Sequence, residues 1–580
     1  MRVLLVYPRF PQTFWSFDRA VALMGHRVLL PPLGLITVAA LLPQSWEFQL
    51  VDCNIRAVDE EEWRRADLVI LSAMLVQKKD LADQIALAKA HSCRVAVGGP
   101  FASSTPDAPE LAQVDFLVLD EGEITLPLLV EALTRGDAGG RFTAGGEKPD
   151  LEATPPPRFD LLELKAYAMI AIQFSRGCPF QCEFCDIIVL YGRKPRTKTP
   201  QQLIAELEAL RSLHWRGEIF LVDDNFIGNK RNVNRLLAEL EPWQRQRGYP
   251  FSFTTEASVD LAGDPDLIGR MTACGFNRVF LGIETPDTGS LSGAGKHQNT
   301  RNPLLEAVQT ITEAGLLVMA GFILGFDGEQ AGAGERIVAF VEESAIPLAM
   351  VGILQALPNT ALWHRLEREQ RLLKLDPQVE ASLRGRFDAG VQTNLLNFLP
   401  SRPMEEIAAE FLDAFDRLYE PANYLARVQR YASRLGRLQT RRRPSIQGVL
   451  GHLGRPAAVA GLLTMIWRQG GAPPQPRAVL ALPARHPAPS PPVARSGAVD
   501  VPAQRALPRI PRPGARAGAG PAALEPGPSP GPRGGLRQPL GSAARPGSNH
   551  ARRTARRHIG ADRGQQPGGP SSQAGRRQAG

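Results

Sequence analysis

Residues Ile172 to Cys185, IQFSRGCPFQCEFC, open as a short apolar strand and run straight into three cysteines. Cys178, Cys182 and Cys185 are spaced by three and then two residues, so one loop can wrap their thiolates around a small inorganic group. Four thiolates normally hold a four-iron cluster. No fourth cysteine lies nearby, which would leave one iron open to a chelating substrate. Structural zinc takes a closed set of four N or S ligands, and the nearest histidine in sequence is His214. Three cysteines with an open position therefore favour a reactive iron–sulfur site over a zinc knuckle.

The rest of the composition agrees with a reducing compartment. Cys53, Cys93 and Cys274 are scattered, unlike the even, dispersed set of a secreted disulfide scaffold, and read as small buried apolar residues. At 580 residues and 43% apolar content the chain has room for two or three folded domains. The apolar run from Val28 to Leu42 contains prolines and falls short of the ~20 residues of a spanning helix. No signal-peptide order of basic, apolar and cleavage segments opens the chain, so the expected location is the cytoplasm.

The net charge of +8 is unevenly placed. From Gly471 onward 17 Arg stand against three acids, a balance of +14 that leaves −6 for the first 470 residues. The folded part therefore offers no general attraction for nucleic acid. Residues 470–580, rich in Pro, Gly, Ala and Arg, lack hydrophobic periodicity and read as a disordered tail. A shifted reading frame of GC-rich DNA is the other reading of this composition. An RNA-binding segment would need interleaved aromatics, which the tail lacks.

Outward from the cysteines the chain alternates strand and helix. Residues 1–145 carry apolar runs at Val3–Tyr7, Phe48–Val51, Leu68–Leu71, Val95–Val97 and Phe116–Leu119, with helix-like stretches such as Leu81–Ala90 between them. Continuous apolar runs of this kind are buried parallel strands, and five with crossovers give an α/β doubly wound, flavodoxin-like sheet. Ligands of such sheets sit beyond the carboxyl ends of the strands. There lie Ser72-Ala73, Gly98-Gly99-Pro100 and Glu121-Gly122-Glu123, whose small residues either admit a large flat ligand or simply make tight turns.

A polar Gly- and Pro-rich linker, 146–165, leads to a second alternation over 166–395. Its strands are expected at Ile172–Ser175, Ile219–Val222, Phe251–Thr254, Val279–Ile283, Val318–Leu324 and Met350–Leu354. Six βα units are too few for a closed eight-unit barrel of roughly 250 residues, so a partial (β/α)6 barrel is expected. Residues 396–440 read as a small helical piece around the amphipathic Met404–Tyr419.

The cysteine spacing, with Phe184 before the last cysteine and a strand in front, resembles the radical S-adenosylmethionine superfamily. That resemblance implies that the open iron binds the amino and carboxylate groups of S-adenosylmethionine, whose one-electron cleavage yields a 5′-deoxyadenosyl radical. Later motifs fit in order. Asp223-Asp224-Asn225-Phe226 closes the second strand, Gly282-Ile283-Glu284-Thr285 the fourth, and Gly321-Phe-Ile-Leu-Gly325 lies in the fifth. By resemblance Phe184, Asp223, Asp224, Glu284, Gly321 and Gly325 contact S-adenosylmethionine. An acid ending a strand can equally be a helix cap. The front domain resembles that of cobalamin-binding members, which implies Ser72, Gly98, Gly99, Glu121 and Gly122 as cobalamin contacts. No D-x-H-x-x-G motif occurs, so no lower axial histidine is expected.

Within that subfamily Arg176–Arg196 and Phe226–Asn232 are similar to hopanoid C-2 methylases and their relatives. The function implied is a cobalamin-dependent radical methyltransferase acting on an unactivated carbon, such as C-2 of a hopanoid. A radical cyclase or rearrangement enzyme without methyl transfer, and a non-catalytic cobalamin and cluster sensor, are the alternatives. Expected partners are a small-molecule or lipid substrate and a reductant such as flavodoxin or ferredoxin, with at most peripheral membrane contact. In the basic run Tyr191–Arg196, at least two of the charges read as a solvated loop.

Overall fold

The structure, a computed structural model, describes residues 1–373 and 396–435, all within one compact unit, Met1–Ala503. The tail read at 470–580 lies outside the described residues, as do 374–395 of the barrel span and 436–440 of the helical piece.

Six parallel strands form the first sheet: β1 (Arg2–Tyr7), β2 (Glu47–Asp52), β3 (Leu68–Ser72), β4 (Val95–Gly98), β5 (Phe116–Val118) and β6 (Gly140–Phe142). Their order is β2-β1-β3-β4-β5-β6, the flavodoxin-like order with one strand added at the edge. Successive side chains of a strand point to opposite faces. Accordingly Leu4 and Val6 pack with Val69 and Leu71 on one side, and Val3 and Leu5 with Leu68 and Ile70 on the other. Both faces are covered, which is why these strands read as unbroken apolar runs. The helix Lys78–Ala90 seals one face through Leu81, Ile85 and Ala88, a single helical stripe.

β6 is the sixth strand where five were expected. It pairs with β5 over only three residues, at the end of the stretch read as the first domain. Gly140-Arg141-Phe142 has no apolar run to announce it, and Phe142 alone packs on the core.

The second sheet contains β7 (Ile170–Ile172), β10 (Glu218–Leu221), β11 (Ser252–Ala257), β12 (Phe276–Glu284), β13 (Leu317–Leu324) and β14 (Leu348–Ile353). All six are parallel and neighbours in chain order, giving an open partial barrel. A two-stranded antiparallel ribbon, β8 (Ser175–Arg176) with β9 (Arg196–Thr197), brackets the cysteine loop. The first barrel strand thus ends at Ile172, earlier than the apolar run suggests. The helix after the ribbon, Pro200–Ser212, starts at a capping box. Thr199 Oγ1 accepts from Gln202 N, Gln202 Oε1 accepts from Thr199 N, and a proline stands in the first turn.

Helices Met404–Tyr419 and Pro421–Leu435 brace the far edge, Tyr419 donating to Ala349 O at 2.7 Å. Cys53, Cys93 and Cys274 are buried free thiols. No described helix is long and apolar enough to cross a membrane.

Candidate active site

The cysteine loop leaves β7 and is pinned at once by the residues that end β10. Asp223 Oδ1 accepts from Phe174 N at 2.8 Å and Oδ2 from Ser175 Oγ at 2.6 Å. Asp224 Oδ2 accepts from Gly177 N at 2.7 Å. Burial pushes Asp223 up to about 7 and Asp224 up to about 6, against the pull of these hydrogen bonds. Gly177 is required: its φ is +92°, and a Cβ would lie 2.8 Å from the Gly192 carbonyl oxygen of the returning chain.

A second seat comes from the segment after β12. Ala294 O accepts from Glu183 N at 2.9 Å, and a Cβ on Gly295 would lie 2.9 Å from Gln181 O. Lys296 Nζ stands 5.8 Å over the Phe184 ring and 2.5 Å from Glu284 Oε1. Gln298 Nε2 donates to Cys182 Sγ at 3.5 Å. Glu284 has φ +66°, a left-handed conformation rare outside glycine, at a register shift in β12. Asn299 Nδ2 holds that distortion by donating to the Gly282 and Ile283 carbonyls at 2.9 and 3.0 Å. Burial opposes the Lys296 charge, but the Glu284 carboxylate, together with Cys182 and Cys185, outweighs it and raises its pKa. Backbone strain over-determined in this way gathers at functional sites.

Gly321, paired with Gly282 across β12 and β13, lies below Glu284. A Cβ there would be 3.2 Å from the Phe280 ring and 3.9 Å from Glu284 Oε2. Glu256 stands on β11, beside Asp224 and Asp223. It has no counter-ion among the described residues, and burial pushes it up to about 7.

All three cysteines of the loop are free thiols; burial raises Cys178 and pushes Cys185 up to about 12. Among the described residues no three His, Cys, Asp or Glu side chains converge as a single-ion site. A four-iron cluster makes no such demand, since each thiolate ligates a different corner. Free thiols on one loop, met by amide donors from Gln298 and, at 4.0 Å, Asn225 Nδ2 to Cys178 Sγ, suit that group.

The first sheet meets this loop through a buried ion network. Arg176 Nη1 donates to Glu121 Oε2 at 2.8 Å and to Glu123 Oε2 at 3.0 Å. Arg196 Nη1 and Nη2 grip Glu121 Oε2 and Oε1 at 3.0 and 2.8 Å. In the basic run, Arg196 is thus turned inward while Arg193 and Lys194 are exposed. The carboxyl ends of both sheets face one another across this network. Between them a cavity of about 330 Å³ is lined by Leu75, Phe101 and Pro109 with Lys78 and Glu110 on one side, and by Leu357, Pro358 and Trp363 with Gln355 and Asn397 on the other.

The structure brings Phe184, Asp223, Asp224, Glu284 and Gly321 to one mouth around the cysteine loop. Gly325, at φ +101° just past the end of β13, also leaves room for Leu396, which a Cβ there would meet at 3.1 Å. Ser72, Gly98 and Gly99 share the carboxyl end of the central strands β3 and β4 of the first sheet. There a Cβ on Gly99 would lie 2.2 Å from Ser72 Oγ, and one on Gly98 2.8 Å from Val118 O. Gly122 packs on Leu126, and the Glu121 carboxylate is taken by the two arginines. Lys296, Gln298 and Glu256 were not singled out by sequence. The first two lie in a turn without a motif, and the third looks like one more strand residue.

The radical SAM superfamily model matches residues 172–341, and a domain of unknown function matches 360–478. The chain is 56% identical over 470 residues to an uncharacterized methyltransferase of Synechocystis sp., covering 81% of this chain and 84% of that one. It is 37% identical over 444 residues to hopanoid C-2 methylase of Rhodopseudomonas palustris, covering 75% and 81%. Its fold is that of the cobalamin-dependent S-adenosylmethionine radical enzyme OxsB, with a TM-score of 0.52 at 15% identity over 83% of this chain and 74% of that one. With the cysteine loop at the mouth of a partial barrel, these relationships establish that the chain is an enzyme of the radical SAM superfamily and belongs to its methyltransferases.

Proposed function

We propose that the protein is a cobalamin-dependent C-methyltransferase whose substrate is an apolar polycyclic lipid, C-2 of a hopanoid being the specific target. The observation that carries this reading is the buried tie from Arg176, two residues before Cys178, to Glu121 and Glu123 of the first sheet. It holds the cysteine loop against a second ligand-binding edge, as a reaction with two cofactors requires.

In this reading Cys178, Cys182 and Cys185 hold the four-iron cluster, and S-adenosylmethionine lies between Phe184, Asp224, Glu284 and Gly321. Bound there, the cluster and S-adenosylmethionine supply one-electron chemistry at a saturated C–H, which has no acidic proton for acid–base catalysis. Glu284 and Lys296 offer a carboxylate and an ammonium, suited to the ribose hydroxyls and to the methionine carboxylate respectively. Asp223 and Asp224 keep the loop in place through Phe174, Ser175 and Gly177. Cobalamin takes the strand ends formed by Ser72, Gly98 and Gly99, while Glu121 serves as a latch. The cavity between the sheets is within the size range of small-ligand sites, and its Leu75, Phe101, Leu357 and Trp363 offer apolar surface to a hydrocarbon substrate beside the polar Lys78, Glu110 and Gln355.

The protein works in the cytoplasm, meets its lipid at a membrane surface, and takes electrons from a flavodoxin or ferredoxin. Incubation of reconstituted enzyme with deuterated-methyl S-adenosylmethionine and a hopanoid extract tests the reading. Label in the 2-methyl position is expected. Continued 5′-deoxyadenosine formation with no labelled lipid would overturn the substrate.

A further inference from the structure

The sulfurs of iron–sulfur clusters are sensitive to their neighbours, because hydrogen bonds to sulfur and local charge set the reduction potential. Among the described residues, only a few side chains reach sulfur around the cysteine loop. Gln298 follows β12, well away from the loop in sequence, and is 6% exposed. Its Nε2 donates to Cys182 Sγ at 3.5 Å, and that sulfur is its acceptor among the described residues.

The placement of Gln298 is built, not incidental. Ala294 and Gly295 seat the same segment on Glu183 and Gln181, and Lys296 covers Phe184. Asn299, the next residue, fixes the distorted end of β12. Three consecutive residues, Ala294 to Lys296, therefore lock the segment to the cysteine loop before Gln298 reaches the sulfur, and Asn299 ties the residue after it to β12. A buried amide aimed at an apolar wall would cost free energy, so its acceptor has to be there.

We propose that Gln298 tunes the cluster: its amide N–H, donated to the Cys182 sulfur, stabilises the reduced state and raises the reduction potential. The inference rests on the reading that Cys182 ligates the cluster. Reduction adds one electron, and hence one negative charge, to a cluster already carrying three thiolates. A donor at a ligating sulfur therefore favours the reduced form over the oxidised one. Asn225, which divides its Nδ2 between Cys178 Sγ at 4.0 Å and Ser258 Oγ at 3.1 Å, is the weaker counterpart.

The test is a dithionite titration of the anaerobically reconstituted full-length protein, followed by electron paramagnetic resonance, with iron and sulfide content measured on every sample. Gln298→Met keeps the shape and removes the donor. It should lower the ratio of reduced to oxidised cluster at fixed potential by about tenfold, which is roughly 59 mV for a one-electron couple. Gln298→Glu, which places a carboxylate at the sulfur, should lower it further. Gln298→Leu and Gln298→Ala also lack the donor and are read the same way should the Met variant hold no iron. A full cluster with an unchanged potential in these neutral variants would overturn the proposal. Failure of the unaltered protein to take up four irons would instead refute the ligand reading on which it rests.

Discussion

Arg176 donates through Nη1 to Glu121 Oε2 at 2.8 Å, with the two side chains 12% and 3% exposed. Glu121 answers Arg196 as well, so one carboxylate holds both strands of the ribbon around the cysteine loop. Removing one partner of a buried ion pair leaves an uncompensated charge, which typically costs about 3–5 kcal/mol. Glu121→Gln should therefore lower unfolding stability by about 3 kcal/mol, seen as a reduced urea midpoint. A loss below about 0.5 kcal/mol would mean that the network is a solvated surface feature.

The three loop cysteines are free thiols and make no disulfide. Replacing any one of them by Ala removes no covalent tie from the fold. Each of Cys178→Ala, Cys182→Ala and Cys185→Ala should keep the far-ultraviolet circular dichroism of the parent. Each should lose the visible absorbance of the cluster and all 5′-deoxyadenosine formation. Retention of 5′-deoxyadenosine formation in any of the three would remove that residue from the ligand set.

Gly282 leaves room for the Glu284–Lys296 pair: a Cβ would come within 2.5 Å of Glu284 Oε1 and 2.8 Å of Lys296 Nζ. Both atoms are tips of side chains, so Gly282→Ala should fold while displacing the pair. The expected result is an S-adenosylmethionine Kd raised by about tenfold, about 1.4 kcal/mol, with little change in thermal midpoint. Equilibrium dialysis measures the first and calorimetry the second. An unchanged Kd would separate this pair from the cofactor.

Much of this site was legible in the sequence because its parts are local. Cys178, Cys182 and Cys185 announce themselves by spacing, and the acids Asp223, Asp224 and Glu284 by ending apolar runs. The strands were readable because burial on both faces leaves unbroken apolar stretches. What escaped depends on contacts distant in the chain. Gln298 reaches a sulfur 116 residues away, and Arg176 finds Glu121 55 residues back. Neither residue has a periodic or spaced signature. β6 escaped for a different reason: three edge residues with one buried ring carry no alternation.

Glu256 offers a test by pH. Burial, reinforced by the charges of Asp224 and Asp223, pushes its carboxyl up to about 7 from an ordinary 4.5. The folded state therefore holds this proton more tightly than the unfolded chain. Its contribution to stability is present below about pH 4.5 and is lost as the pH rises through about 7. A tenfold change in proton affinity is worth about 1.36 kcal/mol, so the loss is at most about 3.4 kcal/mol. Glu256→Gln keeps the shape and never ionises, so it should be spared that loss. Urea unfolding of the two proteins at pH 5, 6, 7 and 8 should show the variant gaining on the parent from pH 5 to 7 and levelling off by pH 8. A stability difference that stays flat across this range would mean that the carboxylate is solvated and that Asp223 and Asp224 titrate without it.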